Sequence, residues 1–332
     1  ATTTGYQNTA VGYEAGENST TGYRNTAIGS NALQDHTTGG DNVAVGYIAL
    51  AENTTGQQNV AVGSYALDAN TTNSGSTAVG YKALTANTAA VNTAIGYEAM
   101  EANTSGEGNV AMGARTLESN TTANYNTAIG SETLRANTIG TANVGIGNSA
   151  LRNCSTGSQN TAIGYNALVS NATGIDNIAI GAYALKVVTA NQNVGVGVSA
   201  LTATTTGSNN VAVGLRAMMA NTTGASSVAI GQEALKSVTT GGSNVAVGSA
   251  AAFGITTGTY NIAIGKNTLY NNNPSECVVI GHSAGGWLNT GANGTVAIGY
   301  QALSACTTGS WNTAVGHQAL DACTSGANNN VG

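Results

Sequence analysis

The sequence predicts an all-β chain wound as a parallel β-solenoid (β-roll) of about 19 coils. Three observations carry that prediction: a 17-residue period, a glycine at one phase of every copy, and β-branched residues flanking a small one. The composition agrees. Of 332 residues, 46 are Gly, and charged residues make up 7%, against roughly 25% in an ordinary soluble domain. The net charge is only −6, so the high-charge signature of disorder is missing. Such a chain must order through many thin layers rather than one thick core. It offers no basic surface for nucleic acid and no run near ~18 apolar residues for membrane insertion.

Take the Asn of each Asn-x-Ala-x-Gly as position 0. It recurs at 8, 25, 42, 59, 76 and onward to 312, and 14 of the 18 spacings are 17 residues. Position +1 is always β-branched, +2 is Ala in 16 of 19 copies, and +3 is Val or Ile in all but one. Position +4 is Gly in all 19, as in Gly12, Gly29, Gly46, Gly63, Gly130, Gly164, Gly231 and Gly316. Helical repeats need about 33 residues and leucine-rich repeats at least about 20, so each copy reads as one coil. A strand is expected over 0 to +4, and Gly at +4 turns the corner because it tolerates positive φ and close backbone approach. A second short strand is expected at Ala+7 and Leu+8. The Thr-Thr-Gly run ending at +14 then bends the chain back. Residues 1–332 read as a single repeat domain, with irregular coils at 270–294 around Pro274 and Trp287.

Along the first strand, +1 and +3 point to one side and +2 and +4 to the other. Both sides are apolar, where a solenoid wetted on one side would alternate with polar residues. One side therefore lines the coil and the other meets a second chain, and the pattern leaves the two interchangeable. Val or Ile at +3 is expected in an apolar setting, with Leu+8 across the coil from it. Three chains about one axis, a homotrimer, close such a strip symmetrically. Ala162, Ala179 and Ala212 are the candidates for its contact stripe, with the +1/+3 aliphatics as the alternative. A flat monomeric coil with an interior Ala stripe is the competing arrangement.

Asn at position 0, and Asn, Cys, Val or Ile at +11, suggest amide ladders along the axis. Positions +5, +6 and +9 vary among polar types and read as solvent-facing. Tyr recurs at +5, and Tyr47, Tyr81, Tyr97, Tyr165 and Tyr300 are candidate surface contacts for a glycan or protein; a stiffening surface ladder is the plainer reading. His36 falls at +11, His282 and His317 at +5. No nucleophile, carboxylate pair or metal-ligand spacing rises above the repeat, so no catalytic residue, cofactor or metal is expected. Cys154, Cys306 and Cys323 share +11. Cys306 and Cys323 sit one coil apart, as a disulfide or as two buried thiols.

The run Asn160-Thr161-Ala162-Ile163-Gly164-Tyr165-Asn166-Ala167-Leu168, followed by Asn171-Ala172-Thr173-Gly174, resembles the repeats of bacterial and phage tail-fibre-like proteins. Its core is also similar to the head repeats of trimeric autotransporter adhesins. The resemblance covers nearly the whole chain and implies a trimeric, extracellular or virion-borne fibre or adhesin shaft. Both ends fall mid-repeat, which suggests a piece of a longer fibre or an end-to-end filament. Ice binding by a flat Thr-bearing face is the alternative function.

Overall fold

The computed structural model describes residues 4–271, 273–288, 291–305, 309–321, 329 and 331–332. It is an all-β parallel solenoid of 19 three-residue strands, with no helix among the described residues. The chain falls into two compact units of the same repeat, Ala1–Ile163 and Gly164–Gly332. Strands β1 (Thr9–Val11) to β10 (Thr161–Ile163) lie in the first, and β11 (Ile178–Ile180) to β19 (Thr313–Val315) in the second. Within each unit neighbouring coils pair in parallel and in register, so Thr26, Ala27 and Ile28 meet Val43, Ala44 and Val45. The period of the sequence is the period of the structure.

Each strand is shorter than expected, +1 to +3 only, because Gly at +4 ends it. The eight glycines named above have φ between +125° and +139°, a region closed to residues with a Cβ. Stacking closes it a second time. A Cβ on Gly46 would lie 2.6 Å from the carbonyl oxygen of Gly63 in the next coil.

The second strand expected at Ala+7 and Leu+8 does not form. Positions +6 and +8 have positive φ coil after coil, as at Ile48 (φ 56°) and Leu50 (φ 54°). Such backbone costs an L-residue about 1–2 kcal/mol and cannot extend as β. It is held by bonds to neighbouring coils: Ile48 N–H donates to Ser30 O at 3.0 Å and Leu50 N–H to Ala66 O at 2.9 Å. The backbone polar groups of this segment are thereby paired without a strand.

The two apolar sides are now distinct. Ala at +2 is interior, buried with Ala+7 and Leu or Met at +8. A Cβ on Gly195, which stands at +2, would lie 3.2 Å from Leu185 Cγ, the +8 residue of the preceding coil. Leu+8 therefore meets the Ala stripe, not Val or Ile at +3 as expected. The +1/+3 side chains point outward. An alanine suffices at +2 because the opposed leucine fills the space between them. In one pair of coils a larger +7 residue goes with a smaller +2 residue: Thr133 at +7 faces Gly145 at +2, where a Cβ would come within 2.6 Å of Thr133 Cγ2.

Gly164→Ala should lower stability by at least about 2 kcal/mol, since its φ is +133° and its Cβ would sit 2.7 Å from Gly181 C. Gly286→Ala should be nearly neutral, its nearest neighbour being 3.4 Å away. Urea denaturation of the two variants gives the comparison.

Candidate functional site

Two buried amide ladders organise the surface by fixing neighbouring coils in phase within each unit. At position 0, the backbone N–H of Asn42 donates to Asn25 Oδ1 at 2.9 Å, and its Nδ2 donates to the +14 carbonyl of Gly56 at 2.9 Å. The same pair of bonds recurs at Asn109, Asn126, Asn193 and Asn210. At +11, Asn120 Nδ2 donates to Asn103 Oδ1 at 2.7 Å, and Asn137 Nδ2 to Asn120 Oδ1 at 3.0 Å. A third, partly exposed ladder runs through Thr+12, whose hydroxyls donate to the next coil's carbonyl, as from Thr37 to Thr54 O at 2.9 Å.

Ala162, Ala179 and Ala212 are each fully buried inside their own coil. They are therefore core residues and present no atoms to a second chain. What faces out is the +1/+3 stripe. Val213, Ile180, Ile264 and Ile230 are between 36 and 42% exposed, one above another as far as the ladders keep register. Single exposed aliphatics need no explanation, but a contiguous apolar strip marks an interaction surface.

The tyrosine candidates are surface residues in stacks. Tyr47, Tyr65, Tyr81 and Tyr97 form a chain of ring contacts with centroids 5.4–6.1 Å apart. Tyr165 meets Tyr183 edge-on at 5.3 Å, and Tyr300 lies stacked between His282 and His317. Spacing at one residue per coil explains the contacts.

An ion-pair lattice at +6 and +9 went unpredicted, although sign alternation at one-coil spacing signals it. Glu98 pairs with Arg115 at 3.1 Å, Glu101 with Lys82 at 3.0 Å, Glu118 with Arg135 at 2.5 Å and Glu132 with Arg152 at 3.0 Å. The carboxylates of Glu98, Glu101 and Glu118 lie within 4.8 Å of one another. They are the one acidic group among the described residues with metal-like spacing, yet each already faces a cation. The Tyr97 hydroxyl and then Arg115 hold the Glu98 carboxyl below its usual range. An open groove of about 520 Å³ runs along Glu101, Glu118, Arg135 and Arg152. Its two carboxylates and two guanidiniums balance, so it favours neither an anion nor a cation.

Cys154 and Cys277 are buried free thiols, and burial pushes them up to about 12 and about 11. Cys306 and Cys323 lie outside the described residues. His36 replaces an amide in the +11 ladder. Its Nε2 lies 2.8 Å from Gly39 O, and its Nδ1 is 3.3 Å from Asn53 Nδ2, so Nε2 carries the proton and Nδ1 accepts. Burial lowers its pKa.

Comparison with protein-family models finds no match, and comparison with curated proteins finds none.

Two outcomes follow from the buried groups. Because the folded His36 pKa is lowered below 6.5, the unfolded chain takes up the proton first. Its contribution to stability is present above pH 6.5 and is lost as pH falls from there towards the folded value. His36→Asn should remove that part of the acid sensitivity in thermal melts taken between pH 7.5 and 5. Mass-spectrometric mapping after iodoacetamide treatment at pH 8 should find Cys154 and Cys277 unmodified in the native chain and modified after denaturation.

Proposed function

We propose that this chain is the shaft of an extracellular or virion-borne fibre that presents a surface-attachment function. Identical copies pack along their +1/+3 stripes, as a homotrimer, to form it. The observation that carries this reading is the outward Val/Ile stripe, an apolar strip that the chain itself leaves uncovered. Its ridges recur once per coil, at ~4.8 Å. A partner must match that spacing along its whole length, and a second copy of the same chain does so by construction. Cyclic contacts about a three-fold axis then bury the stripes of the three copies against one another.

The interior suits a load-bearing role. Within each unit neighbouring coils are bonded through backbone, amide and hydroxyl ladders, so a break must disrupt several bonds together. Ice binding is the weaker alternative. The Thr+12 hydroxyls donate to protein carbonyls rather than to water, and +1 of the outward stripe is Thr in only seven of 19 coils.

Light scattering should give three times the 32.7 kDa chain mass. The triple variant Ile180→Glu, Val213→Glu, Ile230→Glu should keep the β spectrum of the wild type and dissociate to monomers, since those side chains point away from the core. A wild-type monomer at about 100 µM, well above a micromolar dissociation constant, contradicts the shaft reading.

A further inference from the structure

The +9 row of the second unit contains a gap. Phe253 and Tyr270 hold that position in successive coils and stack at 5.1 Å, 20° from parallel. The next coil has Gly286 there, and the one after it Ser304. Two aromatic rings are followed by no side chain and then a short one. At ~4.8 Å per coil the missing stretch is ~10 Å long.

The coil that carries the gap is repacked so that the interior stays full. Val279 replaces Ala at +2, Gly285 replaces Leu at +8, and Leu288 replaces Asn at +11. A Cβ on Gly285 would lie 2.8 Å from Leu288 Cδ1 and 3.2 Å from Val279 Cγ1. Those two side chains thus occupy the volume the usual leucine leaves. Leu288 is fully buried, while Trp287 beside it is 59% exposed. The result is a groove of about 380 Å³ lined by Tyr270, Trp287, Asn267, Asn271, Ser283 and Gln301, with Gly286 and Ser304 at the gap.

We propose that this groove binds a neutral oligosaccharide, holding one or two sugar rings. No charged residue lines it, so neither a phosphate nor a cationic peptide finds a counter-charge. The exposed indole of Trp287 offers an apolar ring face to the C–H face of a pyranose, and Tyr270 adds a second ring. Three side-chain amides and two serine hydroxyls supply donors and acceptors together, the combination that sugar hydroxyls satisfy and an aliphatic ligand leaves unpaired. One of those amides is held in place: Gln301 Oε1 accepts from Gln318 Nε2 at 3.1 Å, which leaves its own NH₂ as donor. The gap length matches a disaccharide. This deepens the attachment role proposed above and rests on that reading for its biological setting alone. The groove lies within one chain, so its test does not depend on trimer formation.

The intact chain is titrated calorimetrically with chitotetraose and with maltotetraose, one N-acetylated and one not. Trp287 emission, read in a Trp311→Phe background, provides a second signal. Saturable binding of at least one probe is expected. Gly286→Tyr should weaken it by at least about tenfold by filling the gap. A Cβ there meets nothing closer than 3.4 Å, so the coil is expected to fold, which circular dichroism checks. Trp287→Ala, which removes an exposed side chain, should weaken binding similarly and covers the case in which Gly286→Tyr misfolds. The proposal is overturned if neither probe binds at up to about 10 mM, or if a folded Gly286→Tyr or Trp287→Ala variant binds as the wild type does. A trimer that binds no probe leaves the shaft and removes the groove; a monomer that binds does the reverse.

Discussion

The buried Asn at position 0 is the contact on which the rest of the structure depends. Its Oδ1 accepts the backbone N–H of the next coil's position 0, and its Nδ2 caps the +14 carbonyl where the chain bends back. One side chain thus satisfies two backbone groups that would otherwise be buried without partners. The bonds form only where consecutive coils hold position 0 at the same phase, and the backbone N–H of Ser76, Ser227 or Cys277 serves as well as that of Asn. Ser76 and Ser227 keep the role in part: their hydroxyls accept from Asn92 and Asn244. At two of its interruptions the +11 ladder leaves an amide oxygen unpaired. Asn137 Oδ1 and Asn221 Oδ1 have no hydrogen-bond partner, and the next +11 residues are Cys154 and Val238. A buried orphan of this kind costs about 1–3 kcal/mol, so such breaks must stay rare.

Phase locking has two consequences away from the amides. Inside, +2 and +8 meet across a thin coil, where Ala faces Leu, and Val279 with Leu288 fills the space left at Gly285. Outside, whatever stands at +3 in one coil stands beside its counterpart in the next. An ordinary aliphatic therefore becomes a strip, alternating charges become a chain of ion pairs, and a single glycine at +9 becomes a groove. Each surface feature is one residue choice multiplied or interrupted by the repeat.

Much of this was legible in the sequence. The period, the corner glycines and the position 0 ladder follow from which residue types recur. The +11 row was legible too, because a polar amide that interchanges with Cys, Val and Ile has to be buried. The orientation of the strand was not, since Ala162 and Ile163 are both apolar and only the coil's width decides which fits inside. The missing second strand was also hidden. Leucine normally avoids positive φ, and at Leu50 or Leu168 only the inter-coil hydrogen bonds offset that strain. The groove at Gly286 could be read as a lost side chain only once +9 was known to form a surface row.

Cutting out one whole coil tests phase locking most directly. Removing residues 211–227 joins Asn210 to Val228 and leaves every ladder in phase, whereas removing 211–219 shifts all later coils against the earlier ones. The quantity to measure is the thermal midpoint of each deletion by circular dichroism. The whole-coil deletion should keep its β spectrum and melt within about 5 °C of the full chain, and the partial deletion should melt far lower or fail to fold. Equal tolerance of the two deletions, or equal loss of structure in both, would contradict the dependence of the fold on in-register amide ladders.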